Sequence, residues 1–328
     1  MRRREFLALA TSAAASWPRA VLAQQSAIPV IGVMTPLSIA TATRNLAALR
    51  NGLRDLGYTE GQNIKIEYRF GDVNPERFNS LLSELIGLKP AAIVVGSNAA
   101  VMAAVKVTQT IPLIGVMASG TSVATGKISS FAHPGGNVTG FLTDADPGIG
   151  AKRLELLREI VPSSSKIAAL VIPEEANVDG MTIGLQSAAR VLGIDVHVIE
   201  VRSAAELANA FTQIERDRLQ ALYVSQAALF LVRRSELIEL AASKKLPAIY
   251  PFREFVQSGG LISYGANLPE MYRRAAIYVD KILKGDRPSE LPLQAVEKYE
   301  LAVNLKAANA LGLTISEGFL LRADEVIE

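Results

Sequence analysis

Apolar runs alternate with amphipathic stretches along this chain, and the same succession occurs twice. The first copy covers residues 28–117 and the second covers residues 166–252. The short, wholly apolar runs Ala92–Val95 and Ala221–Val224 occupy equivalent places in the two copies, 129 residues apart. A repeat of this kind predicts two α/β lobes of one design, with a cleft between them.

Helix and strand signals alternate within each copy. Leu46, Leu49, Leu53 and Leu56 fall on one side of a helix at i, i+3, i+7 and i+10, and Gly57 provides a C-terminal stop. The second copy repeats the stripe and the glycine stop 136 residues later. Strands that alternate with helices imply right-handed crossovers, so we predict an α/β fold with two doubly wound parallel-sheet lobes.

Three segments are expected to cross between the lobes and form a hinge. The first crossing lies within residues 129–146, the second follows the strand at 259–265, and the third lies near 291–296. The predicted lobes are therefore discontinuous, with residues 28–140 plus 266–293 in lobe 1 and residues 141–265 plus 294–328 in lobe 2.

The first 23 residues have the pattern of an export signal. They combine a basic start, Arg2 to Arg4, with an apolar stretch at 6–15 and small residues before Ala23. The pattern fits a twin-arginine-like or a general secretory signal peptide, and an N-terminal amphipathic helix of the fold is the alternative. Removing this segment changes the net charge from +2 to about −1. The remaining chain therefore has no excess of positive charge to attract nucleic acid.

The sequence contains no cysteine. Disulfides, thiolate catalysis, cysteine metal sites and a lipid-modified cysteine anchor are therefore excluded. Together with the export signal, this composition favours a protein that is free in the periplasm.

Five sequence blocks resemble one known family. They are HPGGNVTG (133–140), KRLELLREIVP (152–162), FVQSGGLISYG (255–265), YVDKILKGDRPSELPLQ (278–294) and YELAVNLKAANALGLTI (299–315). The chain is similar in these blocks to the ABC-transporter substrate-binding family that includes tryptophan- and tyrosine-binding proteins. The resemblance implies a type I periplasmic-binding-protein fold and delivery of a small molecule to an ABC permease in the inner membrane. We expect a monomer without a cofactor.

Two loops, 118–123 and 173–177, depart from the pattern of that family. Both follow predicted strands and are expected to face the cleft. The ligand therefore stays open among an amino acid, an aromatic carboxylate and another small organic solute.

Ligands of open parallel sheets bind beyond the carboxyl ends of the strands, which predicts a set of cleft residues. The candidates are Thr35, Ser97, Asn98, Ala118, Ser119, Glu175, Asn177, Ser225, Gln226, Tyr250, Phe252 and Tyr264. The polar members sit where helices begin and offer donors to an anion, although Ser and Asn are also favoured there as helix caps.

Other members of the set have more specific interpretations. Glu175 is suited to a ligand ammonium, or is a solvated loop acid. Tyr250, Phe252 and Tyr264 are suited to an aromatic wall, or to core packing. Arg153 and Arg158 alternate with Glu155 and Glu159 on one helix, which predicts a solvated face, with a permease-docking surface as the alternative.

An enzyme is the main alternative class, and the sequence gives it little support. His133 and His197 are the only histidines, and neither belongs to a metal-binding motif. Nucleophile-elbow, phosphate-loop and dinucleotide motifs are missing. We predict no catalysis and no metal. A ligand sensor for a membrane receptor stays open, and a transcription regulator is disfavoured because the chain begins with an export signal rather than a DNA-binding helix pair.

Overall fold

The computed structural model describes residues 28–118, 134–143, 148–173 and 178–328. The predicted signal peptide, residues 1–23, lies outside these ranges. Within them, no helix has the length and apolar character needed to cross a membrane.

Strands and helices alternate along the described chain. The strands are β1 (Val30–Thr35), β2 (Lys65–Phe70), β3 (Ala92–Val95), β4 (Leu113–Ala118), β5 (Val138–Leu142), β6 (Lys166–Val171), β7 (Asp195–Glu200), β8 (Ala221–Val224), β9 (Ala248–Tyr250), β10 (Ile262–Ala266), β11 (Leu293–Ala295), β12 (Tyr299–Asn304) and β13 (Glu325–Ile327). The α-helices are α1 (Ile39–Asp55), α2 (Phe78–Gly87), α3 (Asn98–Val107), α4 (Ile149–Ile160), α5 (Val178–Leu192), α6 (Leu207–Arg216), α7 (Ala228–Val232), α8 (Arg234–Ser243), α9 (Arg253–Gln257), α10 (Leu268–Leu283), α11 (Leu305–Ala310) and α12 (Glu317–Leu320). Short 3₁₀ turns occupy Pro75–Arg77, Ala204–Glu206 and Pro288–Glu290.

Two separate sheets confirm the predicted pair of lobes. The first has six parallel strands in the order β11-β5-β4-β3-β1-β2. The second has seven strands in the order β13-β12-β10-β9-β8-β6-β7. In both sheets the first strand of the copy lies between the next two, β2 and β3 in one lobe and β7 and β8 in the other, which is the internal repeat seen in three dimensions.

One strand pairing departs from an all-parallel arrangement. Strand β12 runs antiparallel to β10, with Tyr264 opposite Leu301. The reason is the route of the chain, because β12 enters the second lobe directly from the carboxyl end of β11. It therefore starts at the edge that faces the first lobe and must run away from it. The neighbouring β13 follows β12 in parallel.

Helices cover both faces of each sheet. In the first lobe, α1 and α10 pack together on one face, while α2 and α3 enclose a separate core on the other. The predicted stripe on α1 buries Leu46, Leu49 and Leu53. Leu56 is 39% exposed, because the helix ends at Asp55 and Leu56 is its C-cap.

The chain passes between the lobes three times, from β5 to α4, from β10 to α10 and from β11 to β12. All three passages lie on one side of the molecule, since β5 and β11 end the first sheet and β10 and β12 are neighbours in the second. The predicted lobe limits, 28–140 plus 266–293 and 141–265 plus 294–328, stay a prediction, and their boundaries fall within β5, β10 and β11.

Candidate functional site

A cavity of about 420 Å³ lies between the carboxyl ends of strands from the two lobes. Residues after β1, β2 and β3 form one wall, and residues after β6, β7 and β8 form the other. The lining consists of segments 72–75, 202–204 and 227–229 together with Pro36, Phe78, Ser97, Ala99, Ile172, Val232 and Arg233. Its size and position are those of a small-molecule site at the open edge of an α/β sheet.

The cavity combines an apolar surface with charges of opposite sign. Phe78, Ile172 and Leu229 are among its apolar members. Asp72 comes from the first lobe, and Arg202 and Arg233 come from the second. A ligand with an apolar body and charged groups would therefore find partners in both lobes.

The loop after β2 holds a strained backbone at the rim of the cavity. Asp72 and Val73 have φ values of 48° and 56°, in the left-handed region. That conformation is costly for a β-branched residue such as Val73. Hydrogen bonds hold it, since the Val73 N–H donates to the Pro36 carbonyl at 2.7 Å and the Asn74 N–H donates to the Gly71 carbonyl at 3.0 Å.

Ser97 and Asn98 stand at the start of α3, as the sequence predicts. Ser97 lines the cavity, is 5% exposed, and accepts a hydrogen bond from the Ala100 N–H at 3.2 Å. It is thus the N-cap of the helix, and its hydroxyl proton is still available to a ligand. Asn98 is buried beside it. For Ser97, capping and ligand contact are compatible roles.

Thr35 is completely buried at the end of β1. Its hydroxyl oxygen accepts a hydrogen bond from the Leu37 N–H at 3.3 Å and lies near the Tyr272 hydroxyl. Burial raises the pKa of Tyr272 to about 12. A Cβ at Gly96 would overlap the Tyr272 hydroxyl, so this glycine permits the close packing. Through these contacts with Leu37 and Tyr272, Thr35 stabilises the end of β1.

Ser225 and Gln226 follow β8 and lie beside the cleft. Ser225 is 3% exposed, and its backbone N–H donates to the Leu170 carbonyl at 3.0 Å. Gln226 donates through Nε2 to the hydroxyl of Thr143, which stands just after β5. Gln226 therefore links the second lobe to the start of the first crossing.

The three candidate aromatic residues do not line this cavity. Tyr250 and Phe252 are 1% and 0% exposed and belong to the core. Tyr250 stacks on Phe255 with ring centroids 4.7 Å apart, and burial raises its pKa. Tyr264 is partly buried on the other face of the second sheet, beside Tyr299 at 5.7 Å. Their role as a ligand wall stays a prediction.

The remaining candidates fall at or beyond the limits of the described chain. Ala118 is the last residue of β4, opposite Leu142 of β5. Ser119, Glu175 and Asn177 lie outside the described residues.

Arg153 contradicts the expectation of a solvated face. It is 3% exposed and reaches under the second sheet, where Nε donates to the Tyr264 carbonyl at 2.6 Å. Its Nη1 lies 3.4 Å from the Tyr223 hydroxyl, and its buried Nη2 has no hydrogen-bond partner in the described chain. The missed signal is helical spacing, because Arg153 follows Ile149 by four residues and precedes Leu157 by four on the buried face of α4.

The sequence-derived set also missed the loops after β2 and β7. Asp72, Asn74, Arg202 and Ser203 line the cavity from these loops. The signal was available, since both strands were recognisable and the same carboxyl-end rule applies to them.

Within the described ranges, no cluster of three or more His, Asp or Glu side chains is arranged to hold a metal ion. His197 is partly exposed on β7 and lies 2.7 Å from Asp195 through Nε2. His133 lies outside the described residues.

Comparison with known proteins agrees with this fold. A tyrosine-binding protein of Clostridioides difficile (strain R20291) is 25% identical over 276 residues, which cover 83% of this chain and 79% of the relative. The crystal structure of a conserved domain protein from Vibrio cholerae is 25% identical and matches with a TM-score of 0.84, over 91% of this chain and 99% of that one.

A second solved structure has the same fold. It is an ABC domain from Streptococcus pneumoniae in complex with L-Trp, 22% identical, with a TM-score of 0.81 over 90% of this chain and 100% of that one. The family model described as "ABC transporter substrate binding protein" matches residues 30–327, nearly the whole described chain. This chain therefore belongs to the ABC transporter substrate-binding protein family.

Proposed function

We propose that this protein is the solute-binding component of an ABC importer. It holds a small amino-acid-like or aromatic carboxylate ligand between its lobes and delivers it to a permease in the inner membrane. The observation that carries the proposal is the cavity of about 420 Å³, whose walls come from the carboxyl ends of both sheets. A ligand in such a cavity contacts both lobes and favours their closed arrangement through those additional contacts.

The chemistry of the surroundings supports a carboxylate-bearing ligand. Arg202 and Arg233 line the cavity, and Ser97 offers a hydroxyl at the start of α3. A carboxylate held between these groups would be stabilised by charge-assisted hydrogen bonds.

The relatives narrow the ligand class. One is a tyrosine-binding protein, and another structure contains L-Trp. We infer that the ligand is an amino acid, and amino acids with aromatic side chains are the first to test. The signal peptide predicted at 1–23 would place this capture in the periplasm. A ligand sensor for a membrane receptor would use the same cleft, and the presence of permease and ATPase genes beside this one would favour transport.

The ligand is best identified from the protein itself. We expect mass spectrometry of protein purified from the periplasm to detect a co-purifying amino acid or aromatic acid. In parallel, L-tyrosine and L-tryptophan should raise the melting temperature, whereas L-tyrosinamide and L-tryptophanamide, which lack the carboxylate, should raise it less. If no solute co-purifies and no member of a broad panel of organic acids and amino acids shifts the melting temperature, the proposal fails.

A further inference from the structure

A second cavity, of about 410 Å³, lies on the other side of α7 from the cleft. Its first wall is the start of α1 in the first lobe, and its second wall is formed by α8, α9 and the residues after α9 in the second lobe. The residues that matter for its chemistry are Asn45, Arg44, Arg234, Glu254 and Gln257. Both lobes therefore contribute to it, as they do to the cleft.

One buried polar atom at this cavity lacks a partner in the described part of the chain. It is Oε2 of Glu254, which makes no hydrogen bond to any described residue. Unsatisfied buried polar atoms are rare in folded proteins, because each costs free energy. Asn45, only 4% exposed, lines the same cavity from the first lobe.

Two arginines provide positive charge at the same place, one from each lobe. Arg44 donates through Nη1 to Gln257 Oε1 at 2.7 Å, a bond that joins the lobes. Arg234 donates through Nε to the Ser258 hydroxyl at 3.0 Å and through Nη1 to the Leu231 carbonyl at 3.1 Å. Each guanidinium keeps further N–H groups for a ligand.

The charges around Glu254 leave the cavity with a positive excess. Glu254 is influenced by Arg44, Arg234 and Arg253. Arg253 is already paired with Glu300 at 3.3 Å and with a further carboxylate at 2.8 Å. At the cavity, the two positive charges of Arg44 and Arg234 therefore outnumber the single negative charge of Glu254.

We propose that this cavity is a second ligand site, distinct from the cleft, for a small zwitterion. Arg44 and Arg234 hold its carboxylate, while Glu254 Oε2 and the Asn45 amide oxygen accept from its amine. Because Arg44 belongs to the first lobe and the other charged groups to the second, an occupied site favours the joined lobes. Since the cleft ligand favours the same arrangement, each ligand strengthens binding of the other.

The test uses L-alanine as the zwitterion and propionate, which lacks only the amine, as its partner. Binding to the purified protein is measured by calorimetry, and the Asn45 side-chain amide is followed by NMR. L-Alanine should bind saturably, shift the Asn45 signal, and bind more tightly than propionate. Since charge-assisted hydrogen bonds are the strong ones, Arg44→Gln with Arg234→Gln should weaken L-alanine about tenfold or more.

Matched variants separate this site from the cleft. Arg54→Gln with Arg190→Gln removes the same charge from exposed positions of α1 and α5 and should leave L-alanine binding unchanged. Glu254→Gln should abolish the preference for L-alanine over propionate. The proposal is overturned if L-alanine does not bind saturably, or if both arginine pairs give equal affinity, which would assign any binding to the cleft. In the variant with Arg44→Gln and Arg234→Gln, the response of the melting temperature to L-tyrosine tests the cleft separately from this site.

Discussion

Ser97 shows how one side chain serves both a helix and a cavity. Its oxygen caps α3, and the same residue lines the space between the lobes. Capping by itself explains a serine at this position, so position alone does not establish ligand contact. A second serine cap in the chain allows the two roles to be separated, because Ser316 caps α12 with the same acceptor geometry.

We expect Ser97→Ala and Ser316→Ala to lower the free energy of unfolding by similar amounts, about 1 kcal/mol each. Only Ser97→Ala should also weaken the cleft ligand, because only Ser97 lines the cavity. Urea denaturation and calorimetric titration with L-tyrosine provide the two measurements. Equal affinity in the two variants would show that Ser97 is a cap and nothing more.

Glu254 carries the clearest pH dependence among the acids at the lobe interface. Burial raises the pKa of its carboxyl above the ordinary 4.5, against the opposing charges of Arg44, Arg253 and Arg234. Well below pH 4.5 the group is protonated in folded and unfolded chains alike. As the pH rises through the raised pKa, the folded chain must bury a charge and loses stability.

Glu254→Gln removes this cost, so we expect the variant to gain stability over the wild type as the pH rises from about 4.5 through the raised pKa. Chemical denaturation at several pH values measures the difference. Glu239→Gln, on the exposed side of α8, controls for the substitution itself. A stability difference between wild type and Glu254→Gln that is constant with pH would contradict the assignment.

Among the elements, the pair α1 and α10 depends on one glycine. A Cβ at Gly52 would lie 2.5 Å from the Arg273 carbonyl oxygen and 2.9 Å from the Ala276 Cβ. The obstacle is backbone, which cannot move aside as a flexible side chain can. Tyr58 adds a hydrogen bond to Asp280 of α10 at 3.0 Å, so the two helices are joined by close packing and by a polar contact.

Gly52→Ala is therefore expected to destabilise the protein by about 1–3 kcal/mol. Gly184→Ala is the matched control, since its Cβ would meet nothing within 4 Å in helix α5. That change should stabilise the protein by roughly 0.5–1 kcal/mol, because alanine is the better helix former. Thermal and urea unfolding measure both. Similar destabilisation in the two variants would show that α1 and α10 are not closely packed at Gly52.

The elements also show what the sequence can and cannot predict. Periodicity and the internal repeat are enough for the strands and helices of the two repeated units and for the carboxyl-end position of Ser97, but not for the elements after residue 298. They do not predict that β12 runs antiparallel, because its direction depends on where the third crossing enters the second lobe. Nor do they place Tyr250 and Phe252 in the core, since an aromatic residue at a strand end suits a pocket and a core equally well.

At the scale of the whole molecule, the hinge determines where motion is largest. The three crossings lie beside β5, β11, β10 and β12, whereas β2 and β7 form the opposite edges of their sheets. Rotation about the crossings would move these far edges most. The Asp72–Val73 loop follows β2, the segment that contains Arg202 follows β7, and both line the cavity. These parts of the cleft wall would therefore move furthest when the lobes rotate.

The absence of native cysteine makes this motion directly measurable. Spin labels on Asn79→Cys of α2 and Thr212→Cys of α6 would report the separation of the two far edges. We expect the label distance to shorten when L-tyrosine binds, because a ligand held by both lobes favours the closed arrangement.

A second pair of labels, on Asn79→Cys and Arg54→Cys, lies within the first lobe and should keep its distance. If both distances stay constant while calorimetry shows that L-tyrosine is bound, the lobes are rigid. Capture would then depend on entry through the open side of the cleft, and the permease would have to recognise the ligand rather than a closed receptor. A change confined to the first pair would instead support a hinge that converts occupancy of the cleft into a shape a membrane partner can recognise.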